Sequence, residues 1–258
     1  MSAASVSVSQ APAVQYLLRI GDTALVLGQR LAEWTGHAPV LEEDIALANM
    51  ALDLVGQARA LLTYAGSLEG QNLDEDQLAF LREERDFRNV TLVELPRGDF
   101  AVTVLRNTMM AAFLKQLWQH LKESSDAELA AIAAKAAKES RYHLQHSADW
   151  VVRLGQGTDE SRRRMLAAVD QLWRYSAELF ADDEVDEHAA RTGLGPRWSE
   201  LQDGWKADMA VVLEQARLEA PAPSKFVSAG KRGQHSEHMG YILAEMQYLQ
   251  RAYPGGVW

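Results

Sequence analysis

Apolar residues return at the helical period along nearly the whole chain, and glycines, prolines and capping residues cut that pattern into long segments. Leu17, Leu18, Leu25, Leu31 and Trp34 predict a first helix over Val14–Trp34. Thr35-Gly36-His37-Ala38-Pro39 ends it. A second helix is predicted from Val40 to Leu68, with Ile45, Leu52, Val55 and Leu62 as its apolar face. Glu42, Glu43 and Asp44 occupy its first turn, where carboxylates complement the helix dipole. Gly70-Gln71-Asn72 reads as a turn, and a shorter helix over Asp74–Val93 stops before Pro96. Asp99 is placed to cap a helix over Phe100–Lys122.

Ser125-Asp126-Ala127-Glu128 has the spacing of a capping box and predicts a helix running to Leu154, ended by Gly155 and Gly157. Thr158 caps a further helix that reaches Asp182-Asp183-Glu184, and Gly193-Leu194-Gly195-Pro196 is a break. A helix over Arg197–Glu219 closes at Pro221 and Pro223; the loop PAPSKFVSAGKRG then leads to a last helix over Ser236–Ala252, ahead of Pro254. No pair of segments has hairpin chemistry, and no short repeat occurs. Long helices joined by short connections pack as antiparallel neighbours. The expected fold class is all-α: a long-helix bundle with additional C-terminal helices. Residues 13–258 are expected to form one domain after a flexible tail of residues 1–12.

Composition narrows the function. The 258 residues are 47% hydrophobic and 24% charged, with a net charge of −10. That balance lacks the basic footprint of a nucleic-acid-binding protein, so no nucleic-acid partner is expected. Without cysteine there are no disulfides, zinc fingers or cysteine-bound iron–sulfur clusters, and a reducing cytoplasm fits. The N-terminal MSAASVSVSQAPAV has neither the basic region nor the apolar core of a secretory signal. No apolar run approaches the roughly 18–20 residues of a spanning helix, so no membrane is expected.

Bundles of this size and pattern commonly house a two-iron site, with one Glu on each of two helices and a Glu-x-x-His pair on each of the other two. This chain has no Glu-x-x-His. Three positions before its seven histidines stand Trp34, Leu117, Ser140, His143, Val185, Arg232 and His235. The segment Phe100–Lys122 contains no Asp or Glu at all. Iron needs oxygen and imidazole ligands converging from several helices, so the pattern describes a bundle without the ligands and points to a supporting subunit. The nearest to a remnant metal site is Glu139, His143 and His146 on one helix, with Tyr142 where an imidazole would stand. Glu33 and Asp53 are the carboxylates able to join them. The competing reading is an inward polar network that also includes Asn49 and Gln57, because buried polar groups need partners.

Two basic segments and one acidic one are candidates for binding. Arg82, Arg85 and Arg88 recur at i, i+3 and i+6, with Asp86, Phe87 and Asn89 among them; guanidinium groups so spaced could meet a phosphate or carboxylate, and Phe87 an apolar arm. A solvated helix face of mixed charge is the alternative. The glycine-flanked stretch Gly230–His238 carries Lys231 and Arg232 ahead of a helix and reads as a phosphate contact, an ordered joint or a solvent loop. Asp182-Asp183-Glu184-Val185-Asp186-Glu187-His188 reads as a solvated helix end, with His188 the member able to reach a ligand. Of the seven tryptophans most are expected in the core, and some at a subunit interface.

The runs LRIGDTALVLGQRLAEWTGHAP, LEEDIALANMALDLVGQAR, KESRYHLQHSADWVVRLGQGTDES, LWRYSAELF and GKRGQHSEHMGYILAEMQYLQRAYPGGVW resemble the C subunits of bacterial ring-1,2-phenylacetyl-CoA epoxidases, the phenylacetate-degradation monooxygenases. The resemblance covers nearly everything after the first dozen residues. It implies a ferritin-like fold and a non-catalytic role beside a homologous A subunit that holds the di-iron centre. It further implies a small B subunit and a reductase with FAD and an iron–sulfur cluster. That system uses oxygen and NADPH to epoxidise the ring of phenylacetyl-CoA. This chain itself is then expected to hold no cofactor. Arg85, Arg88, Lys231 and Arg232 are the candidates for the CoA phosphates, with Asp86, Phe87, Asn89 and His188 in the same contact set.

Overall fold

The computed structural model describes residues 5–68, 70, 72–222 and 224–256. Among these, eleven α-helices and short 3-10 turns carry the fold, and the only β pairing is an isolated bridge between Ala229 and Gln234. The four long helices are α1 (Pro12–Ala32), α2 (Leu41–Leu68), α5 (Phe100–Leu121) and α6 (Ala127–Gly155). α1 packs along α2, α5 along α6, and α2 meets α6. The expected all-α bundle with added C-terminal helices is what forms.

The sequence accounts for most of the ends. Pro12 takes the first turn of α1, where its missing N–H costs nothing. Asp99 accepts from the Val102 amide and opens α5 as expected. α6 is capped by Asp126 through the Leu129 amide, one residue after the Ser125 that the capping-box spacing favoured. Ser125 instead donates its hydroxyl to the Thr192 carbonyl. Thr158 caps α7 (Asp159–Leu172) through the Ser161 amide.

Three expected helices prove to be interrupted. The segment Asp74–Val93 yields only α3 (Glu75–Phe80), a 3-10 turn over Glu84–Asp86 and the single turn α4 (Thr91–Glu94). The break falls where Arg82 leaves the helical path to bury its guanidinium against Asp22. Beyond α7 the chain tightens into a 3-10 stretch, Trp173–Phe180, and the acidic run starts a separate helix, α8 (Glu184–Thr192), with Asp183 as its cap. The C-terminal pieces are α9 (Gln202–Gln215), α10 (Glu237–Met246) and α11 (Tyr248–Ala252). Gln247 splits the last two, turned inward to donate to the Ala79 and Arg82 carbonyls, both at 3.1 Å.

Residues 5–11 are not the loose tail expected of residues 1–12. Val8 is buried, the Val6 amide donates to the Leu81 carbonyl at 3.0 Å, and Gln15 holds the Ser9 carbonyl at 2.7 Å. Residues 1–4, Gln71, Pro223 and Trp258 lie outside the described residues.

A second correction concerns α2, whose core side is Leu47, Met50, Leu54, Ala58, Leu61 and Ala65. Of the face read from the sequence, only Leu62 is buried; Ile45 and Leu52 are 54% and 69% exposed. The helix is apolar on two sides, so period alone could not say which side packs. By length and composition α2 is apolar enough to cross a membrane, contrary to the sequence-based expectation. It nevertheless lies as one wall of the bundle along α1.

Tight packing at the end of α2 gives a test. A Cβ on Gly66 would sit 1.9 Å from the Leu73 carbonyl oxygen, whereas nothing lies within 4 Å of one on Gly56. Gly66→Ala should cost about 1–3 kcal/mol through overpacking. Gly56→Ala should stabilise the isolated chain by about 0.5–1 kcal/mol through helix propensity. Urea denaturation of the two variants checks the opposite signs.

Candidate functional site

The remnant metal ligands lie on the seam where α2 meets α6. Glu43, Asp53 and Gln57 ascend α2 while their partners His146, His143 and Glu139 descend α6, so the two helices run antiparallel. Asp53 Oδ2 is 3.0 Å from His143 Nε2, Glu43 Oε2 is 3.0 Å from His146 Nε2, and Gln57 donates to Glu139 Oε2 at 2.8 Å. Tyr142, half exposed, stands beside both imidazoles, with ring centroids 6.2 and 6.1 Å apart. Burial pulls the His143 pKa below its ordinary value, against the opposing pull of the Asp53 carboxylate. The neutral ring therefore donates Nε2–H to Asp53.

These contacts are pairs, not a convergent set. Glu33 does not join them: it caps α1 and pairs with Arg30. Among the described residues no three His, Cys, Asp or Glu side chains gather as metal ligands. The carboxylate-free α5 instead buries Thr103, Arg106, Asn107 and Thr108. The Arg106 guanidinium donates to the Leu95 and Pro96 carbonyls at 2.6 and 3.0 Å, and burial pulls its pKa down to about 9. The polar-network reading thus describes Asp53, Gln57, Glu139, His143 and His146. Asn49 stays exposed.

The two basic segments, distant in sequence, are brought into one seam. The Gly230 amide reaches the Thr91 hydroxyl at 3.2 Å, and a Cβ on Gly233 would lie 2.4 Å from the Arg85 carbonyl and 2.8 Å from Arg88 Nη1. That close approach, with φ +79° at Gly233, is why glycine stands there. His235 sits between Glu94 Oε2 at 2.7 Å and the Phe87 carbonyl at 3.1 Å. Burial lowers its pKa, but the Glu94 carboxylate and that carbonyl outweigh burial and raise it overall.

The arginines do not share one helical face. Arg82 is buried in an ion pair with Asp22, and Arg88 turns inward to Gln15 at 2.6 Å. Phe87 lies under the Arg82 guanidinium, 4.1 Å from it, and Asn89 is buried beside Glu94. Lys231 is 1% exposed, 3.4 Å from Asp186 Oδ2 and 4.9 Å above the Trp198 ring. Lys231, Phe87 and Asn89 are therefore structural members of a joint, with no surface for a dissolved ligand. Arg85 remains exposed, and Arg232 is about half exposed beside Asp183 at 3.3 Å. Asp86 and His188 are partly exposed, and His188 Nδ1 lies 3.2 Å from Arg191.

The acidic run is not a solvated helix end. Asp182 accepts from Ser199, while Asp183 and Asp186 share Arg19 at 2.6 and 3.0 Å. Burial pushes the Asp183 carboxyl up, but its hydrogen bond to Arg19 outweighs that and holds it at about 2. No sequence spacing linked Arg19 to residues more than 160 positions away.

A model of the phenylacetic acid catabolic protein family matches residues 2–258. The chain belongs to that family. Within it, the chain is 50% identical over 243 residues to an Escherichia coli K12 protein, named as the C subunit of 1,2-phenylacetyl-CoA epoxidase, covering 94% of this chain and 98% of that one. The family match spans the accessory helices as well as the four long ones.

Two predictions test the joint and the seam. Lys231→Ala leaves buried Asp186 with only Arg19, which it shares with Asp183, and should cost about 1–3 kcal/mol. Arg85→Ala, on the surface, should change stability by less than about 0.5 kcal/mol, both read from urea midpoints.

The histidines should show opposite pH slopes. His235, raised, adds stability below the ordinary histidine pKa that is lost as pH rises through its higher folded value. His143, depressed, adds none of that kind: the fold loses stability as pH falls below the ordinary value toward the depressed one. Urea midpoints from about pH 5 to about pH 9 should lose the alkaline fall in His235→Gln and the acid fall in His143→Asn.

Proposed function

We propose that this chain is the non-catalytic C-type subunit of a phenylacetyl-CoA epoxidase, working in the cytoplasm in aerobic phenylacetate degradation. The observation that carries this reading is the 50% identity, over nearly the full length of both chains, to the protein named as the C subunit of that enzyme. Two features of the chain support it. At the place where a bundle of this kind would gather metal ligands, the side chains close on one another in pairs. Beside them, α2 leaves Leu41, Ile45, Leu52 and Val55 uncovered, on one face spanning about 80° of arc.

In this reading that face receives the homologous A subunit, which carries the di-iron centre. A rigid second bundle keeps the catalytic helices in position, since a site built on several helices depends on its supporting shell. The small B subunit and an FAD- and iron–sulfur-containing reductase complete the assembly. Oxygen and NADPH-derived electrons act at the A subunit's iron, and this chain supplies no ligand to it. Of the basic candidates for the CoA phosphates, Arg85 and Arg232 keep accessible guanidinium groups, and they flank the same joint.

Co-expression with the A subunit, followed by iron measurement in the complex and in this chain alone, tests the reading. The expected result is a stable complex with iron only when A is present; two irons per copy of the isolated chain would make it an autonomous metalloprotein. Leu52→Glu should weaken the complex by more than about 2 kcal/mol, as a charge forced into an apolar interface does, while the free chain keeps its urea midpoint. Charge reversal at Arg85 and Arg232 together should raise KM for the thioester with kcat preserved. Unchanged kinetics in an intact complex would remove both residues from the substrate path.

A further inference from the structure

On the flank of the bundle, between the 3-10 stretch Trp173–Phe180 and α9, lies a cavity of about 670 Å³. It is independent of the α2–α6 seam and of the basic joint, sharing no residue with either. Its size is that of a small-molecule site, which typically spans about 300–1,000 Å³ with an apolar lining and a few polar groups. Trp173, Phe180, Trp205, Met209 and Leu213 supply apolar walls.

The walls are fixed by packing. Trp205 is buried, donates its indole N–H to the Met109 carbonyl at 2.9 Å, and packs against Trp173 and Phe180 with ring centroids 5.4 and 5.3 Å away. Its only polar atom is thus spent inside the core. The gap stays open for backbone reasons. α7 tightens into the 3-10 stretch at Trp173, and Arg217 takes the left-handed conformation with φ 56°. The chain that follows brings Ala220, Pro221, Ala222 and Ser224 to the cavity wall as small residues.

Three charged groups line the cavity: Asp170, Arg174 and Lys206. Both cations are exposed, and among the described residues neither has a carboxylate within ion-pairing distance. Arg174 lies over the Phe226 and Tyr175 rings at 4.6 and 5.1 Å, which positions it without neutralising it. A planar apolar group would complete the ring stack, and an anionic group would meet two cations that line the same cavity. We propose that this cavity is a binding site for an aromatic anion: a flat ring bearing one carboxylate, sulfonate or phosphate.

The probe is 1-naphthaleneacetate, with the neutral 1-naphthaleneacetamide as control, titrated calorimetrically into the free chain and into the assembled complex. Saturable one-site binding is expected in both, with the amide weaker by about tenfold, the usual scale of a charge-assisted hydrogen bond. Ala210→Trp, at an exposed helical position that lines the cavity, should abolish binding while thermal unfolding stays unchanged. Arg174→Ala and Lys206→Ala should each weaken it about three- to tenfold, and Asp170→Asn should tighten it by removing a like charge. No saturable heat, or binding that survives Ala210→Trp, overturns the site. Equal affinity for the amide, or loosening in Asp170→Asn, overturns the anion. Binding by the free chain but not by the complex would mean that a partner protein fills the cavity, and the small-molecule assignment fails.

Discussion

The segment from Arg82 to Glu94, the start of α8 and the loop before α10 hang on a polar stripe along α1. Arg19 and Asp22, one turn apart and both buried, reach out of the bundle in opposite electrostatic senses. Arg19 holds Asp183 and Asp186 at the start of α8, and Asp186 in turn holds Lys231. Asp22 holds the Arg82 guanidinium and the Arg88 amide. Gln15, Tyr16, Thr23 and Arg30 extend the same stripe to Arg88, the Pro196 carbonyl, the Val90 amide and the Glu94 carbonyl. Buried ion pairs add little net stability, because the charges must leave water, but removing one partner is costly. Their effect here is geometric: each of these segments has one place on α1 where its polar groups are matched.

That arrangement makes the molecule two-sided. On the α1 flank, accessory segments close over the bundle through ion pairs and capped turns, and 17 of the 21 residues of α1 are buried on all sides. On the α2 flank nothing among the described residues covers the apolar stripe. The chain wraps one side closely yet leaves leucine and isoleucine exposed along the other, the kind of patch that often meets a partner.

How far the sequence could be read follows from this division. The long helices were legible because their period, caps and breaks are local: Asp99, Thr158 and the glycines at 155 and 157 act within a turn of where they stand. The missing Glu-x-x-His pattern was legible for the same reason. What sequence reading missed is non-local. Arg82 ends a helix because its ion partner is Asp22, sixty residues earlier, and no propensity encodes that. The acidic run looked like a solvent feature because charge ordinarily is, and Lys231 could have been a phosphate contact, a joint or part of a solvent loop; they are interior because Asp186 pairs with both Lys231 and Arg19. Of the six tryptophans among the described residues, Trp34, Trp118, Trp198 and Trp205 are buried as expected of most, yet nothing in their spacing showed that Trp173 and Trp205 would wall a cavity. On α2, two apolar faces compete, and only packing against α1 decides between them.

The imidazole–carboxylate pairs of the α2–α6 seam have a physical logic of their own. Polar groups that face a helix interface must be satisfied or replaced by apolar ones. Replacement by leucine would make the seam continuous with the stripe beside it, and antiparallel helices with uniform apolar contacts slide easily in register. Three polar pairs, each matched across the interface, set that register. His143 is buried and neutral, donating its Nε2–H to Asp53, so the pair closes without a full charge on the imidazole. A metal would need these same groups to turn toward a common centre, breaking each pair. The seam that fixes α2 against α6 therefore does so by spending the very side chains that metal binding would require.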